Sequence, residues 1–343
     1  MSDLAKYKVR GPVETLRTEH VTWDMARKEW QPPRGFIATW FRPDGAVNAS
    51  DFHNPDESVL HSRWLYDEAG RLTESNTQFN EGPIDRIVYS YDKAGRHLRT
   101  VQLSHDGTQT ESEICNYDAS GKKTKVRFLG VRGANTGYSV EGSEQAYPAP
   151  GTTTMTTTYS EADLPTKVVF QDANHNSVTE VAFTRDNAGR LLSEEMHSNG
   201  ESHFPDFLDK VPPEQRDNMA ALLKKVFGEP YSSTSYAYDS QGRIVERTRK
   251  MGSLNEELTT YRYGDREDPI EETTENKNRE ARINENGAVD YTADRVTVQH
   301  NRFEYLYDAH GNWTERTASY QVEPNTDFQR YDIERRAITY HAA

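Results

Sequence analysis

The chain has 343 residues, 34% of them hydrophobic, and a formal net charge of −14 from 41 basic and 55 acidic side chains. So acidic a chain is repelled by phosphate backbones and anionic lipid, which argues against a nucleic-acid partner. The single cysteine, Cys115, excludes a disulfide framework and a multi-cysteine metal site. Apolar usage well below the roughly 45–50% of ordinary domains argues against a bulky three-layer core. It suits antiparallel sheet instead, where one face stays wet and Tyr and Trp bury large areas with a polar tip.

No apolar stretch approaches the roughly 18–20 residues of a membrane-spanning helix, and the start Met1-Ser2-Asp3-Leu4-Ala5-Lys6 has no signal-peptide core. The expectation is a soluble chain with no membrane insertion and no export address, in an unknown compartment. A chain beginning after a cleaved signal would look the same.

In chain order, Val9 to Arg27 predicts a first strand or two ending at Trp23-Asp24. Phe36 to Phe41 then leads into Arg42-Pro43-Asp44-Gly45, a turn by composition. From there a motif takes over, seen almost intact at Tyr89-Ser90-Tyr91-Asp92-Lys93-Ala94-Gly95-Arg96. It reads as strand, tight turn and returning strand: the Asp side chain bonds backbone N–H groups, and the Gly takes the left-handed conformation that closes the loop. The turn pair recurs as Asp67/Gly70, Asp92/Gly95, Asp118/Gly121, Asp186/Gly189, Asp239/Gly242 and Asp308/Gly311. Three residues before each Asp stand Trp64, Tyr89, Cys115, Phe183, Tyr236 and Tyr305, so Cys115 reads as a core filler.

Copies are separated by 25 residues from Asp67 to Asp92 and 26 from Asp92 to Asp118, about two strands and two turns. Weak copies at Ser160 and Gly264, and an extra turn at Ser104-His105-Asp106-Gly107, keep the register. Three interruptions break it. Residues 130–153 read as a long loop rich in Gly, Asn, Ser and Pro, a tolerated insertion or a functional loop. Residues 204–230 read as a helix, with Pro212 and Pro213 at its start, Met219, Leu222, Leu223 and Val226 on one face and Gly228 at its stop. Removing those residues leaves one repeat length between Asp186 and Asp239, so the helix is an insertion that would cap the sheet. The charged stretch from Glu271 to Arg282 reads as a third insertion. Arg335 to Tyr340 closes the chain as an edge strand.

The pattern Tyr-x-Tyr-Asp-x-x-Gly-Arg, at Tyr89–Arg96 and Tyr236–Arg243, resembles the YD or Rhs repeat family. The resemblance covers most of Trp64 to Arg316 and implies a mainly β fold, an antiparallel hairpin array forming a curved or spiralling sheet. The family occurs in toxin-carrying bacterial proteins and in animal adhesion proteins, and carbohydrate binding is associated with the repeat. This chain lacks a toxin tail and a self-cleaving core segment, so it is expected to be a short member without cargo, a partial shell or barrel with one inserted α-helix. The organisation is a single repeat-array domain over 1–343: divergent repeats at 9–61, YD repeats at 62–203, the helical insertion at 204–230, and repeats with the edge strand at 231–343.

No catalytic, cofactor or metal residue stands out from the register, and no cofactor is expected. His197 and His203 are poorly spaced for zinc and flank a turn signal. Asp172, Asn174 and Asn176 mimic the start of a calcium loop, but Ser177 replaces the needed Gly and Phe183 the closing Glu, so a hairpin turn is expected. Two functional readings follow. One is a non-enzymatic scaffold binding a protein or glycan through inserted loops or exposed aromatic rows, Tyr89, Tyr91, Tyr236, Tyr238, Tyr305 and Tyr307. The other is a hydrolase with its site between loop 130–151 and the inserted helix. The face taken by those tyrosines separates core from binding platform.

Overall fold

The computed structural model describes residues 3–129, 137–139, 143, 146–148, 152–198, 212, 213, 216, 230–283, 289–325 and 327–342. After a four-residue helix α1 (Asp3–Lys6) come β1 (Val13–Asp24), β2 (Glu29–Trp30), β3 (Phe36–Phe41), β4 (Val47–His53), β5 (Val59–Tyr66), β6 (Leu72–Phe79), β7 (Ile84–Tyr91), β8 (His97–Leu103), β9 (Gln109–Tyr117), β10 (Lys123–Phe128), β11 (Gly137–Ser139) and β12 (Ala146–Pro148). The chain continues through β13 (Thr154–Tyr159), β14 (Pro165–Gln171), β15 (Ser177–Arg185), β16 (Leu191–Ser198), β17 (Ser232–Tyr238), β18 (Ile244–Met251), β19 (Asn255–Tyr263), β20 (Pro269–Asn278), β21 (Ala281–Ile283), β22 (Val289–Tyr291), β23 (Arg295–Tyr307), β24 (Trp313–Val322) and β25 (Gln329–Tyr340). Twenty-one of these strands belong to one hydrogen-bonded sheet. The expected mainly β, antiparallel hairpin architecture is therefore the architecture found.

The hairpin turns follow from the sequence motif atom by atom. At Asp92 the backbone N–H donates to the Arg96 carbonyl (2.9 Å) and the Gly95 N–H to the Asp92 carbonyl (3.0 Å). Gly95 sits at φ +82°, the left-handed region that a Cβ would make costly. Asp92 Oδ1 accepts from the N–H groups of Ala94 and Arg96, and Oδ2 from Arg96 Nε at 2.7 Å. The extra residue shifts the ladder register between Ser90 and Tyr91, a bulge of the kind such three-residue loops create.

The same two backbone bonds close the turns at Asp67, Asp118, Asp186, Asp239 and Asp308. There the N–H groups of Gly70 (3.0 Å), Gly121 (2.9 Å), Gly189 (2.9 Å), Gly242 (3.0 Å) and Gly311 (3.2 Å) donate to the carbonyl of the turn's own Asp. All five glycines share the positive φ of Gly95, between 77° and 86°. Turns of the same bonding occur at Arg42, Asn54, Ser104, Ser160 and Asp172. At Ser160, Asp163 takes the left-handed place of the glycine, with φ 57°. Asp172 thus closes a hairpin, as its departures from a calcium loop implied.

The chain divides into two compact units. In the first (Met1–Glu111, Pro269–Glu271, His300–Ala343) the ladder runs β24-β25-β1-β3-β4-β5-β6-β7-β8. Its core, Val9, Val13, Leu16, Phe41 and Val47, is packed by Leu4 and Tyr7 from the N-terminal segment and by Trp64, Ile338 and Tyr340. In the second (Ser112–Asp268, Glu272–Gln299) the ladder runs β9-β10-β13-β14-β15-β16-β17-β18-β19. Its core is Tyr147, Met155, Val168, Phe170, Val181, Phe183 and Met196. Alternation puts the core strand residues on the face that carries Tyr236 and Tyr159. The other face reads Thr156, Lys167, Glu180, Glu195, Ser233 and Lys250.

Several expectations need correction. The C-terminal strand is not an edge: β25 pairs with β24 on one side and with β1 on the other, with Leu16 opposite Ile338 and Val21 opposite Ile333. The ladder closes where an open, partial shell was expected, because the first long strand finds the last, a pairing that leaves no local sequence signal. The charged stretch at Glu271 is no insertion, since Pro269–Asn278 is a ten-residue strand followed by the short pair β21 and β22. The loop 130–153 contains a small hairpin, β11 with β12. Apart from 212, 213, 216 and 230, the stretch expected as the inserted helix lies outside the described residues, and α1 is the one helix whose bounds are described. Across that stretch β16 pairs directly with β17, Ser193 opposite Ser235.

Candidate functional site

The tyrosines of the repeat are occupied by the sheet itself. Tyr66, Tyr91, Tyr238 and Tyr263 each donate their hydroxyl at 2.7 Å to a backbone carbonyl one repeat back, those of Val47, Leu72, Leu191 and Ile244. Over the same rings lie the guanidinium groups of Arg42, Arg71, Arg190 and Arg243, 4.4–5.1 Å from the centroids. Arg71, Arg190 and Arg243 are in turn paired with Asp67, Asp186 and Asp239. Each of these three turns therefore reaches the next tyrosine through one Asp–Arg–Tyr chain, the nearest-neighbour coupling of a repeat array. The weak copy at Tyr261 and Gly264 takes part, which is why Tyr263 sits where it does.

The remaining expected row residues divide by burial. Tyr236 is 7% exposed and donates to Glu194 Oε1 at 2.5 Å. Tyr89 meets Ser75 Oγ at 3.3 Å, and Tyr305 donates to the Pro269 carbonyl at 3.0 Å while its ring lies 5.8 Å from that of Tyr307. Glu194, 2% exposed, also accepts from Tyr147 and Ser143, both from the long loop. Burial first, and then the Glu194 carboxylate, push the Tyr147 hydroxyl far above its ordinary range and keep it a proton donor. Three hydroxyls around one enclosed carboxylate make a tie that holds loop 130–153 to the sheet. Cys115 is buried, and burial pushes its thiol up, so it fills space as its place in the register implied. No group of three or more His, Cys, Asp or Glu able to hold a metal occurs among the described residues.

A half-buried aromatic pair beside a cavity lies elsewhere, at the β1–β2 hairpin. Trp23 is directly opposite Trp30, and Asp24 opposite Glu29, across a loop of Met25 to Lys28. Asp24 organises that loop: its Oδ1 accepts from the N–H groups of Ala26 (2.9 Å) and Arg27 (3.0 Å), and its Oδ2 from Gln31 Nε2 (3.4 Å). The Arg27 backbone N–H is the main reason that its carboxyl is held below the usual range. The Lys28 N–H donates to the Asp24 carbonyl at 2.7 Å, and Lys28 adopts φ 56°. The two indole rings meet edge to face, centroids 5.3 Å apart at 72°.

Together with Gln329 and Arg330 at the start of β25, Trp23, Met25, Lys28 and Trp30 line an open cavity of about 490 Å³. That lies inside the roughly 300–1,000 Å³ typical of small-ligand sites, and two aromatic walls with a few polar groups are the usual lining. Met25 is half exposed in it. None of the repeat-turn glycines Gly70, Gly95, Gly121, Gly189, Gly242 and Gly311 lines this cavity, nor do their aspartates, which serve the turns. Sequence reading picked out Trp23 as a strand end and missed the site. The available signal was Trp-Asp-x₄-Glu-Trp, two indoles flanking an Asp-initiated turn outside the repeat register.

Among known proteins, no family model matches this chain and no curated protein does either. Solved structures include a porin-like protein from Bacteroides uniformis, 11% identical with a TM-score of 0.32, the match covering 95% of this chain and 96% of that one. Another is a putative outer membrane lipoprotein-sorting protein domain from Vibrio parahaemolyticus, 10% identical with a TM-score of 0.18, covering 64% of this chain and 95% of that one. The closed ladder corrects the ground for expecting a soluble chain with no membrane insertion, since a closed antiparallel sheet is a form that can cross a membrane. That expectation rested on the lack of a long apolar helix, and indeed no described helix is long and apolar enough to cross a membrane. A closed antiparallel sheet meets lipid through strands, for which that test has no force.

Proposed function

We propose that this chain is a non-enzymatic carbohydrate-binding protein of YD-repeat type, whose ligand stacks on Trp23 and Trp30. The observation that carries this reading is the pair of facing indoles that line an open cavity instead of a packed core. Indole faces are apolar yet sit comfortably beside hydroxyls, which suits the C–H faces of a sugar ring. Lys28, Gln329 and Arg330 add hydrogen-bond donors to the lining, to which hydroxyl and carboxylate oxygens can accept. The repeat tyrosines support the hairpin array and take no part in recognition.

A glycan array probed with the full chain tests this, followed by titration of a bound sugar through tryptophan fluorescence. Trp23→Ala and Trp30→Ala each weaken binding at least tenfold, while Tyr91→Phe leaves it within about twofold. Retained binding in the double tryptophan variant, with the fold intact, overturns the assignment.

A further inference from the structure

We propose that the ligand of this cavity is an acidic glycan, a chain bearing uronic-acid carboxylates, selected by Lys28 and Arg330. This rests on the reading of the tryptophan cavity as a glycan site and adds the charge class of the sugar. The polar lining of the cavity is two cations and an amide, with no carboxylate, in a chain that carries 55 acidic against 41 basic residues. A cavity lined against the trend of its own chain points to an anion that the rest of the surface repels.

The neighbouring acids leave those cations available. Asp24 is taken up by the Ala26 and Arg27 N–H groups and by Gln31. Arg27, next to Lys28, stands 3.8 Å from the Asp24 carboxylate. Glu304 lies 3.9 Å from Arg330, at the limit of an ion pair, with the two side chains 68% and 63% exposed. Such exposed pairs are weak and give way to a better-placed carboxylate. Glu29 lies across the hairpin and is exposed. Lys28 makes no ion pair with a carboxylate among the described residues, and its backbone is fixed in the turn by the bond to the Asp24 carbonyl. The guanidinium fork of Arg330 fits a carboxylate through two parallel bonds, and Lys28 adds a point charge. A uronic residue stacked by its ring face on an indole carries its carboxylate at the ring edge, and both cations line the same cavity.

The test uses matched ligands that differ only in charge: oligogalacturonate and a glucuronate-containing fragment, each beside its methyl ester, titrated calorimetrically against the full chain at low and high salt. The acid forms bind about tenfold more tightly than the esters at low salt, and the gap narrows as salt screens it. Lys28→Gln and Arg330→Gln each cut acid binding several-fold and leave ester binding unchanged. Equal affinity for acid and ester overturns the charge inference and leaves the glycan reading standing. Acid binding that survives loss of both tryptophans overturns both, because the anion then binds elsewhere.

Discussion

The β1–β2 hairpin and the repeat hairpins are made of the same parts and use them in opposite ways. In the repeat at Asp92, the aromatic before the turn gives its hydroxyl to the Leu72 carbonyl and a ring face to Arg71, so Tyr91 is engaged by the sheet. At Asp24 the same acid cap folds a turn, yet Trp23 and Trp30 on either side keep their rings on a cavity. The difference lies in the neighbours. A repeat turn has another turn beside it to supply the arginine and the carbonyl, whereas β2 is a two-residue strand paired with β1. Aromatic residues inside the array are architecture, and those at the β1–β2 hairpin are available for binding.

The sharpest way to break this contrast is at Tyr236. Truncation to Ala removes a buried ring and one of three donors to Glu194, and costs about 3–5 kcal/mol of stability by chemical denaturation. A loss under about 1 kcal/mol contradicts the structural role. Next in size, Gly95→Ala forces a Cβ into the left-handed region and costs about 1–2 kcal/mol. Tyr91→Phe, which keeps the ring under Arg71 and deletes the bond to Leu72, costs about 1 kcal/mol. Smallest of all is Trp23→Ala, which leaves the thermal midpoint nearly unchanged while weakening sugar binding at least tenfold. A midpoint shift as large as that of Tyr236→Ala would make Trp23 a core residue after all.

The repeats also carry a pH signature that the hairpin shares only once. The Arg96 backbone N–H, then its side chain, hold the Asp92 carboxyl below its ordinary value, and Asp67, Asp118, Asp186, Asp239 and Asp308 are likewise held low. A carboxyl whose folded value is depressed stabilises the fold above its unfolded value of about 3.9, and that stability is lost as pH falls through the folded value. The melting temperature is therefore flat near neutrality and drops below about pH 4. Asp92→Asn removes one share of that drop, as thermal melts across a pH series would show.

The turns were legible because their chemistry is local: an acid to take the N–H groups, and three residues on a glycine free to reach positive φ. Ser160 shows how far the motif degrades before it fails, since Asp163 takes the left-handed position there. Closure of the ladder was illegible. Leu16 and Ile338 meet across 322 positions, and neither residue signals the other. The arginines of the last strand suggested a protected edge, whereas Arg335 pairs with Glu315 and Arg336 lies over Trp313, both within the sheet. The site was missed for a related reason: Gln329 and Arg330 reach Trp23 only because β25 returns beside β1.

Hydroxyl-radical footprinting read by mass spectrometry, with and without oligogalacturonate, puts the contrast to the most direct test. Trp23, Met25 and Trp30 are oxidised in the free protein and protected when sugar is present, while Tyr236 and Tyr159 stay silent in both states. Protection falling on Tyr91, Tyr238 or Tyr307, with the β1–β2 hairpin unchanged, would contradict the account.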